Sequence, residues 1–262
     1  MAREWLYGRQ AVLAALRAGR RECYTLLLKE GILAKGIVAD IVEAAIERGC
    51  EVMYARPSEL SRRVGTVHHQ GVALWVSGYP YLHEGELLQR VEDAGPEALV
   101  LILDHLQDPQ NVGNLLRTAE VAGVTVAVIP KRRAALITPA VVNASAGAVE
   151  FLHVALVTNL ARVVEMLQER GVWVYALEAM PEAPLYWETD LLGPVGVIVG
   201  SEGEGVSRLL RERSDGVIRI PMWGQTTSLN AAVAGALALY EIRRQRVRQG
   251  QPYKVRHELK TT

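Results

Sequence analysis

The sequence predicts an α/β protein: a mostly parallel sheet from about residue 98 onward, preceded by a smaller module that also alternates helix and strand. Two observations carry this reading. Residues 98–103, 124–129, 172–177 and 195–199 are short, continuous apolar runs rich in β-branched side chains, the pattern of strands buried on both faces. Amphipathic stretches at 112–122, 160–169 and 206–213 separate them, and such alternation builds a parallel sheet with helices on its faces. At roughly 150 residues per domain, a chain of 262 residues has room for one or two.

The first module follows the same logic on a smaller scale. Ala11, Val12, Ala15 and Leu16 sit at helical spacing, and 24–28 is a short β-like run. Ile37, Ile41, Ala45 and Ile46 mark a second amphipathic helix, which Gly49 ends; 51–54 and 72–76 read as further strands. Between Gly78 and Pro96 lie Gly-Tyr-Pro-Tyr, an acidic amphipathic stretch and Ala-Gly-Pro, which together read as a linker. The expected division is therefore 1–78 for the first module, 79–97 for the linker, 98–250 for the larger domain and 251–262 for a basic tail.

Composition narrows the function classes. Half the residues are apolar and 22% are charged, as in soluble globular proteins. The longest apolar run, 231–240, is too short to span a bilayer, and the N-terminus has no apolar signal region. Only Cys23 and Cys50 occur, which suits a reducing cytoplasm and supplies neither a disulfide framework nor a zinc cluster. His68-His69 has no companion ligands, so no metal is expected. No G-x-S-x-G elbow and no Walker lysine motif is present. The net charge is zero, but it is segregated: residues 1–80 carry +3, residues 81–216 carry −9 and residues 217–262 carry +6. Only five of the 29 cations are lysine, and arginine at both ends of the chain suits a polyanion partner.

Ligands of parallel sheets bind where loops leave the carboxyl ends of strands, and three loops there hold unusual residues. The first, Asp104 to Arg117, opens a helix whose buried face is Val112, Leu115, Leu116 and Ala119. Asn111, Asn114 and Arg117 then step by about 60° around the cylinder and line one polar stripe. The alternative is that Asp108 or Asn111 is a helix cap and Arg117 a surface cation. The second, Gly200-Ser-Glu202-Gly203-Glu-Gly205, has a G-x-x-G-x-G spacing unlike the dinucleotide fingerprint. Its two carboxylates would repel a pyrophosphate, so a neutral or cationic adenosyl ligand fits better than a phosphate; the alternative is a solvent-exposed tight turn. The third runs from Ile220-Pro-Met222 to Ser228-Leu229-Asn230 and precedes a smooth, Ala- and Gly-rich helix. Ser228 is a candidate N-cap there, and a helix apolar nearly all round suggests a subunit interface.

Together these loops resemble the three motifs of the SpoU (TrmH-like) family of the SPOUT superfamily: Asn111-x-Gly-x-x-x-Arg117, Val-Gly-Ser-Glu202-Gly-Glu-Gly-Val, and Ile-Pro-Met with Ser228-Leu-Asn230. Tyr7-Gly8-Arg9-Gln10 and His69-Gln70-Gly71-Val72 resemble the substrate-binding domain of its 23S rRNA guanosine-2′-O-methyltransferase branch, a domain similar to small ribosomal RNA-binding proteins. The likeness extends to about Gln251. Ser201, where the family often has Asn, and Ala231-Ala232, where Val-Ser is common, depart from the pattern away from the key positions.

The resemblance implies a deep trefoil knot, which general topology rules would not suggest, a homodimer, and methylation of a ribose 2′-hydroxyl by S-adenosylmethionine. It implies that Gly200, Ile220, Met222 and Leu229 hold the cofactor, and that Asn111, Arg117, Glu202, Ser228 and Asn230 form the catalytic constellation. Arg9, Arg20 and Arg21 become candidate RNA contacts. The implied substrate is a guanosine of 23S rRNA in the P-site loop; the alternatives are the same chemistry on tRNA or a non-catalytic RNA-binding assembly factor. The family role for Arg117 is general base, although a guanidinium ordinarily keeps its proton. Pairing with Glu202 would strengthen that hold, so Arg117 could instead stay cationic and stabilise the developing alkoxide.

Overall fold

Residues 3–252 are described by the computed structural model, and among them ten strands form two sheets. The expected tail at 251–262 therefore falls almost wholly outside the described residues. The first sheet contains β1 (Arg3–Tyr7), β2 (Cys23–Lys29), β3 (Glu51–Ala55) and β4 (Val72–Ser77) in the order β1-β4-β2-β3. β4 runs antiparallel to both neighbours, and β2 and β3 are parallel. Helices α1 (Arg9–Ala18) and α2 (Ile37–Glu47) bury Val12, Leu16 and Ile41 against one face, and α3 (Pro57–Val64) places Leu60 on the other. β1 gave no sequence signal because it opens on Arg3-Glu4; Trp5 opposite Trp75, with ring centroids 5.0 Å apart, fastens it to β4.

The second sheet is wholly parallel: β5 (Leu99–Leu103), β6 (Val126–Pro130), β7 (Val154–Val157), β8 (Trp173–Leu177), β9 (Val195–Val199) and β10 (Gly216–Ile218), in the order β10-β8-β9-β5-β6-β7. Side chains alternate between two layers, as strand geometry requires. Leu99, Leu101 and Leu103 join the core under α5 (Pro109–Val121), α6 (Pro139–Ala144) and α9 (Ala231–Arg248). Val100 and Ile102 join the opposite core under α7 (Leu160–Gln168) and α8 (Arg208–Arg213). β9 inserts between β8 and β5, so the loops leaving these strands are neighbours at one edge.

The segment expected to link the two parts does more than connect them. Leu82 bridges to Ala155 beside β7, and α4 (Glu84–Ala94) buries Leu87, Leu88 and Val91 in the second core. Its flanking Gly and Pro read as a linker, yet the apolar stripe between them has a sheet to cover. Glu86 closes its first turn by accepting from the His83 N–H at 2.8 Å.

The two halves are locked together through buried charge. The Arg21 guanidinium, with no exposed side-chain surface, donates to both carboxylate oxygens of Glu150 (2.9 and 2.8 Å), to Glu4 (2.6 Å) and to the Ser77 carbonyl (3.0 Å). Arg20 donates to the Tyr79 hydroxyl (3.1 Å) and to the carbonyls of Pro80 and Leu152. Both residues were candidate RNA contacts, and this corrects that reading: Arg21 is enclosed and Arg20 is engaged, so neither cation is available to a phosphate. Arg9 stays at the surface edge of the module, where Nε donates to the Gln70 carbonyl at 3.3 Å. α1 lies so close to Gly147, at φ +84°, that a Cβ there would meet the Ala14 methyl at 2.4 Å.

Two outcomes follow for stability. Glu150→Ala strands a buried cation and is expected to cost about 3–5 kcal/mol, read from urea unfolding. His153, beside this junction, has an unpartnered Nδ1, and burial, helped by Arg20 and Arg90, pulls its pKa down to about 4. The unfolded chain then binds more protons than the folded one below the ordinary histidine pKa of about 6.5. Stability should fall as pH drops from that value towards 4, and His153→Gln should flatten this part of the stability–pH curve.

Candidate active site

The three loops singled out in the sequence converge at the carboxyl edge of the parallel sheet. In the first, Asp108 caps α5, accepting from the N–H groups of Gln110 (3.3 Å) and Asn111 (3.0 Å), with Pro109 at the first helical position. The cap is thus Asp108, which leaves the Asn111 side chain for other work. Gly113 serves packing: a Cβ there would meet that of Ala144 at 2.4 Å, so α5 and α6 touch backbone to backbone. Asp104, buried at the end of β5, accepts from the Ser207 N–H at 2.7 Å and ties this loop to the next.

The second loop closes on itself. Ser201 and Gly205 exchange backbone hydrogen bonds of 3.2 and 2.9 Å, and a Cβ on Gly200 would lie 2.0 Å from the Gly205 carbonyl carbon. Glu178, just past β8, accepts from the Val206 N–H at 2.8 Å and fills the space beside Gly205. Sequence reading passed over Glu178; its place directly after an apolar strand was the available signal. Glu202 projects from this loop.

The third loop ends at Asn230, and here the structure corrects the capping alternative raised for Ser228. Asn230 is the N-cap of α9, its Oδ1 accepting from Ala232 (3.0 Å) and Val233 (3.3 Å). Its Nδ2 donates to Asn111 Oδ1 at 2.7 Å and to Glu202 Oε1, and Asn111 Nδ2 donates to the same Glu202 oxygen at 3.0 Å. Asn230 has now spent both ends of its amide, whereas Glu202 Oε2 and one Asn111 N–H have no partner among the described residues.

Beside this cluster lies a cavity of about 280 Å³, lined by Gly200, Ile220, Met222 and Leu229 together with Glu178, Glu202, Glu204 and Ser228. That volume is near the lower end of small-molecule sites, which run from about 300 Å³. Its lining holds three carboxylates and no Lys or Arg, so a polyphosphate would be repelled and a neutral or cationic ligand accepted. Arg117 is exposed on α5 and has no hydrogen bond or ion pair among the described residues. The structure therefore gathers Asn111, Glu202, Ser228 and Asn230 and leaves Arg117 outside their hydrogen bonds. Glu202 Oε1 is held by two amides, and Arg117 makes no ion pair with this carboxylate.

Among the described residues no group of three or more His, Cys, Asp or Glu side chains could hold a metal, and no helix is long and apolar enough to cross a membrane. His69 is taken up internally: its Nδ1 accepts from the Gly71 N–H at 2.9 Å and its Nε2 lies 3.2 Å from Ser61 Oγ.

Residues 98–240 match the model of the SpoU rRNA Methylase family, and residues 5–82 match that for RNA 2′-O ribose methyltransferase substrate binding. A 23S rRNA (guanosine-2′-O-)-methyltransferase, RlmB, of Xanthomonas campestris is 41% identical over 244 residues, covering 93% of this chain and 97% of its own. The crystal structure of an RNA 2′-O ribose methyltransferase superposes with a TM-score of 0.75 at 28% identity, over 94% of this chain and 89% of the other. The SpoU methyltransferase AviRb of Streptomyces viridochromogenes, crystallised with AdoMet, has the same fold: TM-score 0.78, 22% identity, 93% and 90% coverage.

Two substitutions probe the convergence. Asn230→Ala removes a helix cap, and a loss of about 0.5–2 kcal/mol is expected in thermal or urea unfolding. Gly200→Ala forces the loop open, since its methyl group would occupy the Gly205 carbonyl; a lowered midpoint of thermal unfolding and a changed near-UV spectrum should report it.

Proposed function

We propose that this chain, which belongs to the SpoU rRNA methylase family, is an S-adenosylmethionine-dependent ribose 2′-O-methyltransferase that acts on a guanosine of 23S rRNA, in the P-site loop. The observation that carries the reading is the Glu202 carboxylate, held by Asn111 and Asn230 at the mouth of a cavity free of basic side chains. The rRNA target rests on the Xanthomonas relative, whose name states that substrate and which this chain matches over nearly its whole length. The same chemistry on tRNA is the second reading; the complete substrate-binding module at residues 5–82 favours the first. A pure RNA-binding factor would have no use for the Asn111–Glu202–Asn230 cluster. An rRNA substrate places the protein in the cytoplasm.

The cavity fits the cofactor. Gly200 and Gly205 let backbone approach where a Cβ would intrude, and Ile220, Met222 and Leu229 give an adenosyl group an apolar bed. Bound there, S-adenosylmethionine supplies an electrophilic methyl group on a sulfonium, a cation suited to the surrounding carboxylates. The free Glu202 oxygen and Asn111 N–H orient the ribose, with Ser228 at the rim, and orientation of this kind contributes several kcal/mol. Asn230 is a positioning residue, since its amide is already fully bonded. Methyl transfer would form the new bond at the ribose oxygen as the sulfonium's bond to that methyl breaks, leaving the neutral thioether, and the ribose oxygen must give up its proton. Arg117 either takes that proton or, remaining cationic, stabilises the alkoxide.

Three further expectations belong to this reading. The chain divides into 1–78, 79–97 and 98–250, with α4 of the middle segment built into the larger domain. The larger domain carries a deep trefoil knot, supported by the way the segment after β10 returns to place Asn230 against both other loops. The protein is a homodimer through α9, on which Val233, Leu237 and Tyr240 form an exposed stripe at helical spacing.

S-adenosylhomocysteine should bind by isothermal titration, and NAD and ATP should not; tighter binding of either nucleotide overturns the cofactor assignment. Single-turnover methylation of an rRNA fragment between about pH 6 and 10 should separate the roles of Arg117. If it stabilises charge, Arg117→Lys loses most activity and keeps the parent pH profile. If it is the base, the rising limb moves to lower pH. Near-normal rates for Arg117→Ala would remove it from the mechanism.

A further inference from the structure

The carboxyl edge of the parallel sheet holds one more group that the cluster does not use. β6 lies beside β5 in parallel register, Ile102 opposite Val128, and the chain leaves β6 through Lys131-Arg132-Arg133, all three exposed. Adjacent strands are about 4.8 Å apart, so this loop is the immediate neighbour of the one that bears Asn111. Backbone bonds hold it there. Ala135 N–H donates to the Leu106 carbonyl of the Asn111 loop at 2.8 Å, Lys131 N–H to the Val157 carbonyl at 2.8 Å, and Ile137 N–H to the Tyr81 hydroxyl at 2.6 Å. Tyr81 belongs to the connection from the first module. The loop that begins with the triplet thus touches both the Asn111 loop and the connection from the first module, and along the sheet edge the order is cavity, Asn111 loop, triplet loop.

Its charge is out of keeping with its surroundings. Residues 81–216 carry ten cations against nineteen anions. Several of those cations are spent on neighbours: Arg170 on Glu92, Arg208 on Glu212 and Arg213 on Glu165. Lys131, Arg132 and Arg133 have no carboxylate partner among the described residues. Arg133 is also held at φ +57°, in the left-handed region. Three adjacent, unpaired cations in an acidic domain have the chemistry to receive a polyanion, and the strand that brings a ribose to Asn111 is one.

We propose that Lys131, Arg132 and Arg133 bind the phosphodiester backbone of the RNA strand beside the target nucleotide. This deepens the methyltransferase reading and rests on it. The contact positions the strand and carries no base preference, so it should govern affinity and leave the chemical step alone.

The test is binding of the full-length protein to a 23S rRNA transcript fragment, by fluorescence anisotropy, at several salt concentrations between about 50 and 300 mM. Each single-strand phosphate contact contributes about 0.7 to the slope of log affinity against log salt. The variant Lys131→Gln/Arg132→Gln/Arg133→Asn, in which Asn tolerates the left-handed backbone, should lower that slope by about 2. KM for RNA should rise, while the single-turnover rate at saturating RNA and the affinity for S-adenosylhomocysteine stay at parent values. If its melting temperature falls, Lys131→Gln/Arg132→Gln replaces it, with an expected slope change of about 1.4. A slope equal to the parent's makes the triplet a solvated loop and overturns the proposal, as does an unchanged KM. Failure of the unsubstituted protein to methylate any rRNA would instead count against the function, and the slope comparison would still decide the triplet.

Discussion

One carboxylate oxygen organises this molecule. Glu202 Oε1 accepts from two amides, Asn111, 91 residues before it, and Asn230, 28 residues after it. A single acceptor can be shared that way only if three chain-distant loops arrive within hydrogen-bond reach, and much of the architecture answers that demand. The sheet order brings β5 and β9 side by side. Gly113 lets α6 press against α5, and Gly235 lets α9 settle onto Leu115 and Val199, where a Cβ would come within 2.7 Å of the leucine. Small residues here are conditions of approach, and the approach sets the polar geometry.

The far end of α9 is fixed as firmly as its start. Arg243 donates to the carbonyls of Ala122 and Gly123 at the end of α5, where the helix dipole welcomes a cation. Arg246 is buried and donates to the carbonyls of Glu97, Ala98 and Gly193 at 2.8, 3.0 and 2.7 Å. Burial, together with Arg243, lowers its pKa to about 10, with no carboxylate in hydrogen-bond contact. Asn230 is thereby aimed from the opposite edge of the sheet, along an 18-residue helix of about 27 Å at ~1.5 Å per residue.

These arginines also show where sequence reading stopped. The segregation of positive charge to both ends of the chain was real, but Arg20, Arg21, Arg243 and Arg246 spend their donors inside the protein. A charge count cannot separate a cation that meets solvent from one that cross-braces carbonyls, since that difference is made by tertiary packing. Conversely, Lys131 to Arg133 lie in the segment whose net charge is most negative, and the sum concealed them. The central strands were readable because both faces are buried and their sequences are unbroken. β7 and β10, of four and three residues, are too short to give a periodic signal. Glu202 was readable because it stands just after such a strand, and Asn111 because it opens the helix that follows one, whereas Ser228 and Asn230 lie well past the short β10 and were marked by the motif they share with the family. Which residue caps which helix was not, because Asp108, Asn111, Ser228 and Asn230 are all competent caps and only the surrounding contacts choose.

The lock between the halves has a consequence for recognition. With Arg21 closed on Glu150 and α1 resting on the backbone of Gly147, the first module cannot swing without exposing a buried ion pair. The span from the first module to the three converging loops is therefore a fixed length, like the gap of a caliper. Any ligand that touches both jaws has to match that gauge, because the gauge cannot adjust to the ligand.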